Sequence, residues 1–132
     1  MTTTLTTMTN EHADFYRLLG PLFARREVHR QVGGAIYDDD GKTWIIARDG
    51  DQVAGFIGIR SQGPTAVAES CYLADENDTD LLAILIRAAL ASVAPTPVRT
   101  TVRHAHAGAY AAAGFTEAGR TNGFAKLVHP NR

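Results

Sequence analysis

An α/β (α+β) fold, with a mixed central sheet and helices on both faces, is predicted from three features of the sequence. Strand-like segments crowd the middle of the chain at Thr43–Arg48, Gln52–Arg60 and Thr65–Leu73, with the turn pair Asp49-Gly50 between the first two. Leu81 to Val93 is apolar nearly all round, which suits a helix packed inside a domain rather than on its surface. A strand, a short helix and two closing strands follow, an order that a mixed sheet covered on both sides accommodates. The 132 residues fit one domain, 1–132.

Each element has its own reason. Thr3 to Thr9 is rich in β-branched Thr around Leu5 and Met8 and reads as an edge strand. Asn10 is a candidate helix cap with Glu11 in the first turn. Phe15, Leu18, Leu19, Leu22 and Phe23 repeat at the spacing of one buried helical face. Gly20-Pro21 interrupts that repeat, so two short helices are expected, Glu11–Leu19 and Pro21–Arg30. Gly33-Gly34 and the acidic run Asp38–Asp40 mark a loop. Within Thr65–Leu73, parity puts Val67, Glu69, Cys71 and Leu73 on one face. Asp75 to Asp80 is an acidic connection to the long helix, which Pro95 and Pro97 stop. Val98–Val102 reads as a strand and Ala107–Ala113 as a short helix with Gly114 placed to end it. Phe115–Arg120 and Phe124–Val128 flank Asn122-Gly123 as a closing hairpin.

Composition narrows the function classes. Thirteen Lys plus Arg stand against 14 Asp plus Glu, for a net charge of -1, so no global field draws the chain to nucleic acid or an anionic membrane. Cys71 is the single cysteine, which rules out an internal disulfide and a cysteine metal cage and points to a reducing, cytoplasmic setting. The Thr-rich start lacks a basic region and an apolar run, so no signal peptide is read there. Leu81 to Ala94 is too short to span a bilayer. No Walker loop, dinucleotide fingerprint, nucleophile elbow or zinc spacing occurs.

Two local matches give the element order a family resemblance. The hairpin from Trp44 to Ile59, with Val53-Ala54-Gly55-Phe56 in its second strand, resembles the paired central strands of the GNAT N-acyltransferase superfamily. Ala109-Tyr110-Ala111-Ala112-Ala113-Gly114-Phe115 is similar to that family's late L-Y-x-x-x-G-F motif. The resemblance covers almost the whole chain. It implies transfer of an acetyl or other acyl group from acyl-CoA to an amine, on a small molecule or a peptide. It also implies acetyl-CoA as co-substrate and, as among many relatives, a homodimer.

Residue by residue, the resemblance makes Tyr110 the proton donor to the leaving thiolate and Leu73 the strand end whose backbone meets the pantetheine arm. Glu69 is the candidate base: some family members carry a catalytic Glu on this strand, and apolar neighbours on its predicted face would raise its pKa. The pyrophosphate loop departs from the family pattern Q/R-x-x-G-x-G/A. Asp78 stands where Gln or Arg is expected, Leu81 at the first glycine, and only Ala83 conforms. Four carboxylates (Asp75, Glu76, Asp78 and Asp80) surround a site meant for a dianionic group, although Asp78 and Asp80 equally suit a helix cap. An alternative follows, a GNAT-like domain without CoA binding that acts as a binding or interaction module.

Two further groups are candidates. His104 and His106 lie at the expected end of the strand Val98–Val102, where either could relay a proton; no carboxylate or cysteine completes a ligand set, so no metal site is expected. Arg25, Arg26, His29 and Arg30 form a basic cluster interrupted by Glu27. It reads either as a contact for an acidic substrate or phosphate, or as a solvated helix face. A nucleic-acid-directed role for it is disfavoured by the neutral overall charge.

Overall fold

The computed structural model describes residues 3–34, 36–38 and 40–131; of the expected acidic loop, Asp39 lies outside them. In chain order the elements are β1 (Thr4–Met8), α1 (Phe15–Phe23), α2 (Arg26–Val32), β2 (Thr43–Asp49), β3 (Gln52–Gln62) and β4 (Thr65–Leu73). They continue with α3 (Thr79–Val93), β5 (Val98–Arg103), α4 (His104–Ala112), β6 (Thr116–Arg120) and β7 (Phe124–His129). The strands form one mixed sheet in the order β1-β2-β3-β4-β5-β7-β6, antiparallel except for the β4–β5 pair.

Alternation along the central strands divides the core in two. Ile45, Ala47, Ile57 and Ile59 face one side and pack with Leu82, Leu85, Ile86 and Ala89 of α3 and Tyr110 of α4. Trp44, Ile46 and Phe56 face the other and meet Phe15, Leu18, Leu19 and Leu22 of α1 and Val28 of α2. The helices therefore cover both faces, as the sequence pattern predicts.

Two expectations are corrected. Pro21 does not open a second helix but lies inside α1, and the break comes at Ala24–Arg25. The face of Phe15, Leu18, Leu19 and Leu22 stays buried across Pro21, and this packing outweighs the local cost of proline. Nor does Asn10 cap a helix. Its amide donates to Asp38 O at 2.7 Å and to Asp40 Oδ1 at 3.0 Å, fastening the start of the chain to the loop before β2.

The third correction matters most for function. β3 and β4 pair as Gly58 with Glu69 and as Phe56 with Tyr72, so Ile57 alone stands opposite both Ser70 and Cys71. Ser70 takes φ 59, a conformation that L residues seldom adopt, and this extra residue is a β-bulge. The bulge reverses the parity of β4. Cys71 and Leu73 join the core under α3, whereas Glu69 lies on the α1–α2 side beside Lys42. The four residues predicted on one face are thus split between two.

Candidate functional site

β4 and β5 run parallel but pair only over Ala66–Ala68 and Val98–Thr100. Thr100 Oγ1 donates to Ala68 O at 2.7 Å at the last point of contact. Beyond it the bulge bends β4 away while β5 stays paired to β7 as far as Arg103, so the two strands splay. A narrow slot of about 20 Å³ lies in the opening, with Gln31, Cys71, His106 and Tyr110 among its walls.

Tyr110 lies at the base of this slot. It is 1% exposed and packs edge-on against Phe115 at 5.3 Å between ring centroids. Its hydroxyl faces the Cys71 thiol. Burial, then the neighbouring Cys71, holds the Tyr110 pKa well above the ordinary phenol value, and burial pushes the Cys71 thiol up to about 12. Both groups therefore keep their protons at neutral pH. His106 and His104 begin α4 rather than end a strand, because the chain turns helical directly after Arg103. His106 reaches the slot, and burial lowers its pKa; nearby Arg103 lowers it further while Glu76 opposes.

Leu73 carries its open backbone edge into the splay. Ala74 N–H donates to Ala54 O, so that residue faces β3, and the alternating N–H directions of a strand turn Leu73 N–H and C=O the other way. Both groups are taken by Gln31 of α2. The Gln31 amide nitrogen donates to Leu73 O at 2.9 Å and its oxygen accepts from Leu73 N–H at 2.6 Å. Gln31 is 6% exposed. Sequence reading missed it, although the signal was present: Gln31 lies three residues after the buried Val28, where an apolar side chain would otherwise be expected.

Glu69 lines a groove of about 390 Å³ on the α1–α2 side, with Val32, Gly33, Tyr37, Ser70 and Phe124 among the other walls. Its carboxylate is 33% exposed and meets two cations, Lys42 Nζ at 3.0 Å and Arg60 Nε at 3.2 Å, both on Oε1. Of the apolar neighbours expected on this face only Val67 remains, because the bulge places Cys71 and Leu73 on the other. Lys42 is 1% exposed, donates to Tyr37 O at 3.0 Å and sits 4.3 Å from the Trp44 ring centroid. Gly58 makes this pairing possible, since a Cβ there would come within 2.5 Å of Lys42 Cε.

At the start of α3, Asp78 is the N-cap and accepts from Leu81 N–H at 3.0 Å. Leu81 buries its side chain in the core, so it does not stand between a ligand and the backbone as its place in the loop pattern implies. The helix terminus is instead occupied by the Asp78 carboxylate. Ala83 is half-buried one turn into α3. Among the described residues, no cluster of His, Cys, Asp or Glu could hold a metal, and no helix is long and apolar enough to cross a membrane.

No family model matches the chain, and no curated protein matches it either. Solved structures do. An acyl-CoA N-acyltransferase from Pseudomonas aeruginosa superposes with a TM-score of 0.77 at 14% identity, covering 97% of this chain and 99% of that one. PaiA N-acetyltransferase from Thermoplasma acidophilum, in complex with coenzyme A, gives 0.69 at 15% identity, with 98% and 99% covered. Spermidine N-acetyltransferase from Vibrio cholerae, with CoA and spermine, gives 0.63 at 14% identity, with 94% of each chain covered. At such identities the likeness is one of fold, and the fold of this chain is that of the GNAT acetyltransferases.

Proposed function

We propose that the chain is an N-acyltransferase that moves an acetyl or other acyl group from acyl-CoA to an amine. The observation that carries this reading is the β4–β5 splay, with Tyr110 at its base and the Glu69 groove beside it. Leu73 offers one backbone donor and one acceptor there, and Gln31 demonstrates that this edge accepts an amide. The pantetheine arm of acyl-CoA carries amides of the same kind, so Leu73 would hold it once Gln31 withdraws. Ala83 and the first turn of α3 would lie toward the pyrophosphate. When bound, acyl-CoA supplies the activated acyl group.

The chain's own residues then have distinct tasks. Glu69, held by Lys42 and Arg60, accepts the proton that the amine releases as the new C–N bond forms. Tyr110 keeps its proton at neutral pH and gives it to the sulfur as the C–S bond breaks. Closure of the slot by Tyr110, Cys71 and Val102 keeps water from that sulfur.

A second reading is favoured by a specific observation. Asp78 sits on Leu81 N–H, and Asp75, Glu76 and Asp80 lie close by in sequence. This surrounds a natural anion site with like charge, as suits a domain of this fold that binds no CoA and serves as a binding or interaction module. Calorimetric titration with acetyl-CoA decides between them, using the unaltered chain, Gln31→Ala and Asp78→Asn. Asparagine keeps the cap and removes the charge. Weak binding by the unaltered chain that tightens in both variants supports the enzyme; no binding by any of the three supports the module.

A further inference from the structure

Beyond the groove, the chain carries a second concavity that the transfer chemistry does not use. An open bowl of about 680 Å³ is lined by Arg26, His29 and Arg30 of α2, Arg103 at the end of β5, Gly123 and Phe124. Its size is that of a small-molecule site. Among the described residues no carboxylate lines it, and Glu27, adjacent in sequence to Arg26, is not among its walls. The basic cluster on α2 is therefore not simply a solvated helix face, because a fourth basic residue is brought to it from another element.

Arg17 pairs with Asp14 and Asp51, Arg60 with Glu69, and Arg120 with Glu117. Among the described residues, no carboxylate pairs with Arg26, Arg30 or Arg103. Among the described residues Arg25, Arg48, Arg87 and Arg99 also pair with no carboxylate, so what sets Arg26, Arg30 and Arg103 apart is that they line one bowl together. Three exposed guanidiniums line one bowl with no carboxylate partner among the described residues, a concentration of like charge that would attract an anion. Arg103 is also oriented, since its Nη1 donates to Arg30 O at 3.2 Å and leaves further donors of the fork available. His29 adds its ring to the wall, with Nε2 donating to Phe23 O.

The bowl and the Glu69 groove share a wall. Gly33, Gly34 and Phe124 line both. The Phe124 ring lies against Gly33, where a Cβ would come within 2.8 Å of it, and Gly33 takes φ +93 as the C-cap of α2. One continuous surface thus carries a carboxylate at one end and three arginines at the other.

We propose that the bowl binds the anionic end of the acyl acceptor, so that the acceptor is a small amine that also carries a carboxylate or a phosphate. Its amine lies toward Glu69 and its anion is gripped by Arg30 and Arg103, with Arg26 at the rim. Naming the occupant as the acceptor rests on the acyltransferase reading; the anion selectivity of the bowl does not.

The test uses the whole chain without acetyl-CoA, and follows the amide signals of Gly33, Gly34 and Gly123 by NMR at low salt. The probes are two matched pairs, phosphoethanolamine with ethanolamine and β-alanine with propylamine, together with putrescine and inorganic phosphate. At least one anionic amine should bind about ten-fold or more tighter than its partner that carries the amine alone, and tighter than inorganic phosphate. Whichever pair shows the larger advantage identifies the anion. The doubly substituted Arg30→Gln, Arg103→Gln chain should lose that advantage while its spectrum stays folded. Equal binding within both pairs, no binding by any probe, or an advantage that survives the double substitution would overturn the proposal. So would inorganic phosphate binding as tightly as the anionic amines. The same panel is then offered with acetyl-CoA. Transfer to putrescine and propylamine with no preference for anionic amines defeats the bowl and leaves the acyltransferase intact. Selective binding with no transfer to any amine defeats the acyltransferase and leaves the bowl an anion site.

Discussion

Gln31 and Leu73 are joined twice across the mouth of the β4–β5 splay, the side-chain amide of one matching the backbone donor and acceptor of the other. The contact ties α2 to the strand edge 42 residues away. It also satisfies a strand end that the splay would otherwise leave without a ladder. Gln31 is therefore both a fastener of the fold and an occupant of the place assigned above to the pantetheine arm.

The first prediction follows from that double role. Gln31→Ala leaves Leu73 N–H and C=O unpartnered, which should destabilise the chain by about 1–3 kcal/mol in urea unfolding. Affinity for acetyl-CoA should move the opposite way and rise. Stability and affinity falling together would show that Gln31 is only structural and that Leu73 does not receive the cofactor.

Tyr110 gives a cleaner separation of chemistry from folding. Tyr110→Phe keeps the ring packed on Phe115 and removes the hydroxyl beside Cys71. Stability should fall by no more than about 1 kcal/mol, while turnover drops roughly 10²-fold or more. Steady-state kinetics beside thermal melts of both proteins measure this. Unchanged turnover removes Tyr110 from the mechanism.

How far the sequence carried these conclusions depends on the range over which each signal acts. The strand Thr65–Leu73, the turn at Asp49-Gly50 and the Leu81 to Val93 helix were legible because alternation, turn chemistry and all-round apolarity are local. The bulge was not. Ser70 adopts a positive φ without the glycine that usually marks one, and a single extra residue sent Glu69 to the face opposite Cys71. Pro21 misled because tertiary burial of Leu18, Leu19 and Leu22 overrode a local breaker. The arginines of α2 were visible as a cluster, yet Arg103 is 73 residues from the carbonyl it binds, and no spacing rule could join them.

Lys42 and Glu69 supply the third prediction. Glu69→Ala removes a charged partner of the buried Lys42 ammonium, at a cost of about 2–3 kcal/mol, the lower end for a buried pair because the Glu69 carboxylate is one-third exposed. Lys42→Met alone should cost less, since Glu69 keeps Arg60. The double variant should recover part of the Glu69→Ala loss, and a double-mutant cycle in urea measures the coupling. Strict additivity would mean that the ion pair contributes nothing measurable.

The last prediction concerns acidity at the slot. His106 has a pKa lowered from the usual histidine value, first by burial and further by Arg103, with Glu76 pulling it back. In the unfolded chain it titrates near 6.5. Between the two values the unfolded chain binds more protons, so stability rises with pH there. The contribution of neutral His106 is fully present above about pH 6.5 and is lost as pH falls through the lower folded value. Carboxylates titrate in the same acid range, so the quantity to compare is the difference between the unaltered chain and His106→Gln. His106→Gln should flatten the loss of stability between about pH 7 and 5. Two charge variants check the cause by NMR titration of the His106 ring. Arg103→Gln should raise its pKa by removing a like charge, and Glu76→Gln should lower it by removing the opposite one. A His106 that titrates at the ordinary value in the folded chain, or that ignores both substitutions, would show that the ring is solvated rather than part of the slot wall.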